Sequence, residues 1–235
     1  MFNDVFDLIK LTGLGLTLML PLANPLTSMS LLLSLGEQIP YRERQRQITQ
    51  SAFYVVGIML VTYYAGAWIM STFGISIPGL RIAGGLIVAA IGFSLLFPKS
   101  TVDDIPEAEQ SADTAPQRAS PNIAFVPLAM PGTAGPGTIA MIISATSTIH
   151  LTHEYAPWVV RATPIIVFLL LGLLFWICLR SAGRIVKLIG HDGVQAISRV
   201  MGFLLVCMGV QFIINGVLEI VTTYLSTAAH ATALR

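Results

Sequence analysis

Two stretches of the chain carry residue types that bind small polar groups without a charged side chain. Pro127-Leu-Ala-Met-Pro-Gly-Thr-Ala-Gly-Pro-Gly-Thr138 has three prolines and three glycines in twelve residues. Proline withdraws a backbone donor and clashes with the preceding turn, and glycine adds freedom that a helix must freeze out. A regular helix cannot run through such a stretch, so N–H and C=O groups are freed there. The first half holds an echo, Pro21-Leu-Ala-Asn-Pro-Leu-Thr27. Set against Pro127-Leu-Ala-Met-Pro-Gly-Thr133, five of the seven positions are identical. Asn24 before Pro25 reads as an N-cap followed by a proline at the first helical position. A second half-helix starts around 132–138. Free N–H groups at helix starts bind carboxylates. Unwound carbonyls and the hydroxyls of Thr27, Ser28, Thr133 and Thr138 suit an ammonium or a Na⁺. Gly132, Gly135 and Gly137, next to Pro131, let a ligand approach the backbone.

Other chemistries are poorly supported. His150-x-x-His153-Glu154 does not follow the order of zinc-hydrolase helices, and no nucleophile–base pair stands out, so the chain does not read as an enzyme. Cys178 and Cys207 lie in apolar segments and read as small buried hydrophobes. A net charge of +1 offers no basic face for nucleic acid. The acidic run Asp103, Asp104, Glu107, Glu109 and Asp113 reads as a solvated linker.

The elements that must position the two stretches are membrane spans. The chain is 54% hydrophobic and only 11% charged, with a mean hydropathy of +0.77. A soluble domain carries about 25% charged residues. Six apolar segments approach the roughly twenty residues a crossing needs: 11–35, 48–73, 82–97, 123–149, 162–179 and 200–221. The first and fourth contain the breaks. Ten residues precede the first break from Leu11, a rise of about 15 Å that reaches the middle of the bilayer. No charged residue falls in the centre of any segment. That argues against a simple carboxylate proton relay and against a strongly charged substrate. Arg81 and Arg199 stand at segment starts, where snorkelling or pairing at the interface explains them. Glu219 lies near the end of the sixth segment, on the same side as Arg81. Gly85 and Ala89 read as a helix-packing face. Gln211 and Asn215, one turn apart, read first as hydrogen-bonding between helices and second as cavity lining.

Six crossings put both termini on one side. The connections after the first, third and fifth segments hold nine Lys/Arg, against four on the other side. The excess of positive charge marks the cytoplasm, so both termini are expected outside it, in the periplasm of a bacterium. The Arg81-x-x-Gly84-x-Leu86 start of the third segment matches Arg199-x-x-Gly202-x-Leu204 at the sixth. Residues 1–97 and 122–235 thus read as two three-helix repeats joined by the acidic linker 98–121. An odd number of crossings per repeat makes the second one inverted. The fold expected is an all-α integral membrane protein of six transmembrane helices, an inverted 3+3 repeat with broken helices one and four. Matched broken segments in inverted repeats point to a transporter site at the midplane. Against this stands the common use of Pro and Gly in membrane helices simply to kink or to pack.

The chain resembles the MarC family of bacterial inner-membrane proteins. The resemblance rests on the two broken motifs, on Phe73-Gly-Ile-Ser-Ile-Pro-Gly-Leu-Arg-Ile-Ala-Gly-Gly85, on Ala124-Phe-Val preceding the second break, and on Met201-Gly-Phe-Leu-Leu-Val-Cys-Met-Gly-Val-Gln-Phe-Ile-Ile-Asn-Gly216. It implies six spans and a superfamily that includes the LysE amino-acid exporters, with relatives linked to small neutral amino acids. The function expected is a secondary transporter exporting small neutral amino acids or similar zwitterions. Efflux of a larger apolar solute, through a pocket lined by Phe and Met, is the alternative. A non-transporting membrane module that meets a partner or senses stress through the basic connection 180–199 is a third reading. No cofactor is expected. The coupling ion, Na⁺ or H⁺, and a homo-oligomeric state are left open.

Overall fold

The chain's computed structural model describes residues 2–35, 39–97, 122–130, 133–151 and 155–233. The acidic linker, Pro131, Gly132, His153, Glu154 and the side chain of His150 lie outside what is described. Among the described residues every regular element is helical. We number them α1 (Phe2–Met19), α2 (Pro25–Leu35), α3 (Tyr41–Thr72), α4 (Ile77–Leu96), a π-helical turn (Ala124–Ala129), α5 (Pro136–Leu151), α6 (Pro157–Arg180) and α7 (Ala182–Ala233). Four helices are long and apolar enough to cross a membrane: α3, α4, α6 and the part of α7 from Asp192 to Ser226. These contain the second, third, fifth and sixth apolar segments. The first and fourth segments are each divided at their breaks, into α1 and α2 and into the π turn and α5.

Two boundaries differ from expectation, for one reason. The connections 36–47 and 180–199 read as polar loops, yet α3 begins at Tyr41 and α7 covers all but the first two residues of the second connection. Arg42, Arg44 and Arg46 ride on helical turns that continue α3 past the apolar run, while Arg184 and Lys187 ride on a short helical stretch cut from the span by non-helical Gly190. Hydropathy marks where lipid ends, and a helix does not have to end there. The one bend in α7 is at Gly190, whose φ of 77° lies in the left-handed region that glycine tolerates. His191 and Asp192 open the helix beyond that bend.

The long helices form two antiparallel pairs. In the α3–α6 pair, Arg180 donates to Gln45 Oε1 at 2.9 Å and Trp176 Nε1 donates to Thr49 Oγ1 at 3.2 Å at one end. At the other end the hydroxyls of Tyr63 and Tyr64 donate to the carbonyls of Val160 and Arg161. The α4–α7 pair is built on glycine. A Cβ placed at Gly209 would stand 2.5 Å from the carbonyl oxygen of Gly85, and one at Gly92 would stand 2.6 Å from that of Gly202. Gly85 and Ala89 are thus the packing face the sequence suggested. Arg81 clamps this pair near one end: it forms an ion pair with Glu219 and donates from Nε to Ser144 Oγ at 2.7 Å. The short helices are exchanged between the pairs' halves. α2 packs against α6 and α7, and α5 packs against α3 and α4. Gly66 and Gly84 make room for Ile143 and Ala140 of α5.

Candidate functional site

Both short helices begin at proline, as the sequence suggested. The Asn24 side chain accepts a hydrogen bond from Leu26 N–H at 3.1 Å and caps α2. α5 starts at Pro136 after Gly135, whose carbonyl accepts from Ile139 N–H at 3.0 Å. The turn leading into the second break is set from outside. Gln47, 1% exposed on α3, accepts from Ile123 N–H at 3.1 Å, and Leu128 N–H and Met130 N–H reach back five residues to Ile123 and Phe125.

The two breaks meet. Ser28 Oγ donates to the carbonyl of Leu128 at 3.0 Å and lies 3.3 Å from Thr133 Oγ1. Since the Ser28 hydrogen is engaged by Leu128, Thr133 is the donor of that second bond. Thr138 Oγ1 donates to the Thr133 carbonyl at 2.9 Å. Ser28, Thr133 and Thr138 are all buried. The Ser28 and Thr133 hydrogens bind one break to the other and that of Thr138 closes the second break on itself, so these hydroxyls keep only lone pairs to offer as acceptors. Asn24 is the exception. It is 3% exposed, and its Nδ2 has no hydrogen-bond partner. A buried amide without a partner costs about 1–3 kcal/mol, so the junction holds an unmet donor.

At each break the flanking helices line spaces at opposite ends of the bundle. Residues of α1 from Leu11 to Met19 share a cavity with Val160, Val167 and Phe168 in the first half of α6, near the end of α3. Thr27 and Ser30 of α2 share a cleft with Ser94 and Leu95 at the opposite end of the bundle, where α4 ends. The second break advances the other way, from Ile123 beside Gln47 near the start of α3 to Ser144 beside Arg81 near the start of α4.

Two spaces adjoin the junction. A polar cleft of about 400 Å³ is lined by Thr27, Ser30, Ser94, Asp192, Gln195 and Ser198 with Leu95 and Val194. One to two turns deeper along α4 and α7, a small cavity of about 20 Å³ is lined by Gly135, Gly137 and Thr138 with Leu22, Val88, Ile91 and Leu205. That inner space has room for about one water. Of the residues suggested by sequence, Asn24, Ser28, Thr133, Gly135, Gly137 and Thr138 gather at the junction. Thr27 faces the cleft, and Pro25 begins α2. Gln211 and Asn215 do not join them: they are exposed on α7 and bond to each other at 2.9 Å. Cys207 is also exposed, contrary to the buried role expected of it. The cleft residues Ser94, Asp192, Gln195 and Ser198 went unnoticed in the sequence. They stand at helix ends, and only the tertiary packing turns them toward Thr27. Among the described residues no group of three His, Cys, Asp or Glu side chains is placed to hold a metal.

Residues 9–221 match the model of the MarC family, described as integral membrane proteins. This chain belongs to the MarC family. It is 57% identical over 220 residues to the UPF0056 inner membrane protein MarC of Salmonella typhimurium, covering 94% of this chain and 100% of that protein. The MarC proteins of Salmonella paratyphi B and Escherichia coli O1:K1 show the same identity and coverage. No solved structure matches the chain. Both breaks and all of the cleft lie within the MarC-matched region, and this MarC-family chain is accordingly an integral membrane protein.

Proposed function

We propose that this chain is a secondary transporter in the bacterial inner membrane that exports small neutral amino acids or similar zwitterions. It crosses the membrane six times as an inverted repeat, with both termini in the periplasm and the basic ends of α3 and α6 in the cytoplasm. The observation that carries the reading is the junction itself. Two proline-started helices from opposite halves of the chain meet there, tied by Ser28, Leu128 and Thr133. Four residues before Ser28 stands the buried, unpartnered Asn24 amide. Helix starts and an amide N–H₂ are donors for a carboxylate. The hydroxyl lone pairs and unwound carbonyls are acceptors for an ammonium. No formal charge among the described residues at the junction has to be matched, which suits a net-neutral solute. The polar cleft falls in the usual range for small-molecule sites and leads to the junction from the cytoplasmic side. The inner cavity is closed in this conformation, and rocking of the helix pairs would open it.

Efflux of a larger apolar solute draws on one observation, the cavity between α1 and α6 lined by Leu14, Met19, Tyr63 and Phe168. At about 140 Å³ it is below the roughly 300 Å³ at which drug-sized pockets begin.

The deciding experiment is counterflow into proteoliposomes loaded with one neutral amino acid at a time. Transient uptake of labelled alanine, glycine or threonine is expected. Asn24→Asp keeps the capping oxygen and puts a carboxyl group in place of the amide donor, so protein verified as folded should lose about tenfold or more of the uptake, the scale of a charge-assisted hydrogen bond. Absence of uptake across the panel from folded protein would overturn the reading, and full uptake by Asn24→Asp would displace the site.

A further inference from the structure

The outward face of α7 carries two side-chain amides at mid-span. Its crossing-length apolar part runs Asp192–Ser226, and Gln211 and Asn215 lie near the centre of it, both exposed. Gln211 Nε2 donates to Asn215 Oδ1. That bond leaves the Gln211 oxygen, its second hydrogen and both Asn215 hydrogens to be matched. Hydrocarbon matches none of them, so polar side chains in membrane helices turn toward other helices. The other long helices present groups that suit lipid tails, such as Phe53, Val61 and Trp68 on α3 and Leu169 and Leu173 on α6.

The residues around the amides indicate what covers them. Counting heptads from Leu204 as position a, Leu204, Gln211 and Leu218 occupy a, and Cys207, Ile214 and Val221 occupy d. All six are exposed. The opposite side of the helix, with Gly202, Gly209 and Gly216, is the side pressed against α4. A heptad seam packs against another helix with the same repeat, and a polar residue at one a position fixes the register. A foreign helix would need its own polar group at the same depth. A second copy related by a two-fold axis along the membrane normal supplies one by symmetry, and the half-satisfied amide pair has both donors and acceptors left for its own image. We propose that two copies of this chain associate along this seam, α7 against α7, parallel and in register at Gln211. This proposal is independent of the transported solute.

The seam contains its own probe, because Cys207 at a d position faces its copy. The full chain with Cys178→Ala is reconstituted at high lipid dilution and treated with a short, membrane-permeant bis-maleimide, which joins two thiols without any oxidant. A covalent homodimer is expected as the main product, and Cys207→Ser should abolish it. A control carrying Leu173→Cys on the lipid face of α6, with Cys178→Ala and Cys207→Ser, should give at least tenfold less. Gln211→Ala with Asn215→Ala should lower the Cys207 yield several-fold while elution in detergent and helical content stay unchanged. A Cys207 yield no higher than that of Leu173→Cys would overturn the proposal. So would a yield indifferent to the double alanine change, or cross-linking in native membranes to a chain of different mass.

Discussion

Pro164 stands inside α6 and has no N–H to offer the carbonyl of Val160. The Tyr63 hydroxyl takes that carbonyl at 3.3 Å, and Tyr64 takes the next one, on Arg161, at 2.9 Å. The carbonyl that the proline leaves open in one helix is thus answered by a side chain of its neighbour. Tyr63→Phe should cost about 1–3 kcal/mol in unfolding, the penalty for orphaning a buried carbonyl. In a Pro164→Ala background the helix can supply its own bond, so the same change should cost well under half as much. Unfolding of the four proteins in detergent measures the coupling, and equal penalties in both backgrounds would remove Tyr63 from this role. At the same scale the site was partly legible in the sequence. Asn24 as an N-cap follows from its own neighbours, Pro25 and Leu26. The Ser28–Thr133 contact spans 105 positions, and no local pattern announces a pairing at that separation. Ser28 and Thr133 stood out in the sequence as hydroxyls at the breaks, but the contact between them did not.

Helix packing explains where glycine is needed and where it is incidental. At Gly209 an added Cβ meets the backbone of α4, 2.5 Å from Gly85 O and 2.7 Å from Ala89 N, so neither helix can yield by turning a side chain. Gly209→Ala should therefore destabilise the protein by about 1–3 kcal/mol, as overpacking does. Gly57 in α3 has nothing within 4 Å of the same construction, and Gly57→Ala should be neutral or stabilising by about 0.5–1 kcal/mol. Thermal unfolding of the two variants separates the cases, and similar melting temperatures would mean that the α4–α7 seam is looser than drawn. The four long helices were legible because lipid imposes one long apolar run on each. The helical extension from Tyr41 and the short helical stretch from Ala182 were not legible, because hydropathy does not report polar helical turns. The division of the two broken segments was visible in Pro21, Pro25, Pro127 and Pro136. Which partners the short helices would choose was not, since α2 and α5 each pack on the far half of the chain.

The whole molecule is asymmetric across the membrane in a way that its access can test. Ser30, Ser94 and Ser198 line the polar cleft at the end of the bundle where Arg42, Arg44, Arg46 and Arg180 gather. Leu14 and Thr163 line the apolar cavity at the other end. Polar walls favour water, so the first end is expected to be wet down to the level of Thr27. The orientation proposed above, with the positive end in the cytoplasm, makes a direct prediction. In a background of Cys178→Ala and Cys207→Ser, Ser30→Cys, Ser94→Cys and Ser198→Cys should react with a membrane-impermeant thiol reagent in inside-out vesicles and stay unlabelled in intact cells. Val88→Cys, at the closed inner cavity, should react about a hundredfold more slowly, and Thr163→Cys should resist from both sides. A neutral amino acid that occupies the junction should slow labelling at Ser30→Cys, which adjoins Thr27, more than at Ser198→Cys. Labelling of the three serine positions from the outer face would reverse the orientation. Labelling from neither face would mean that the cleft is filled by lipid or protein, and the junction would then have no path to water.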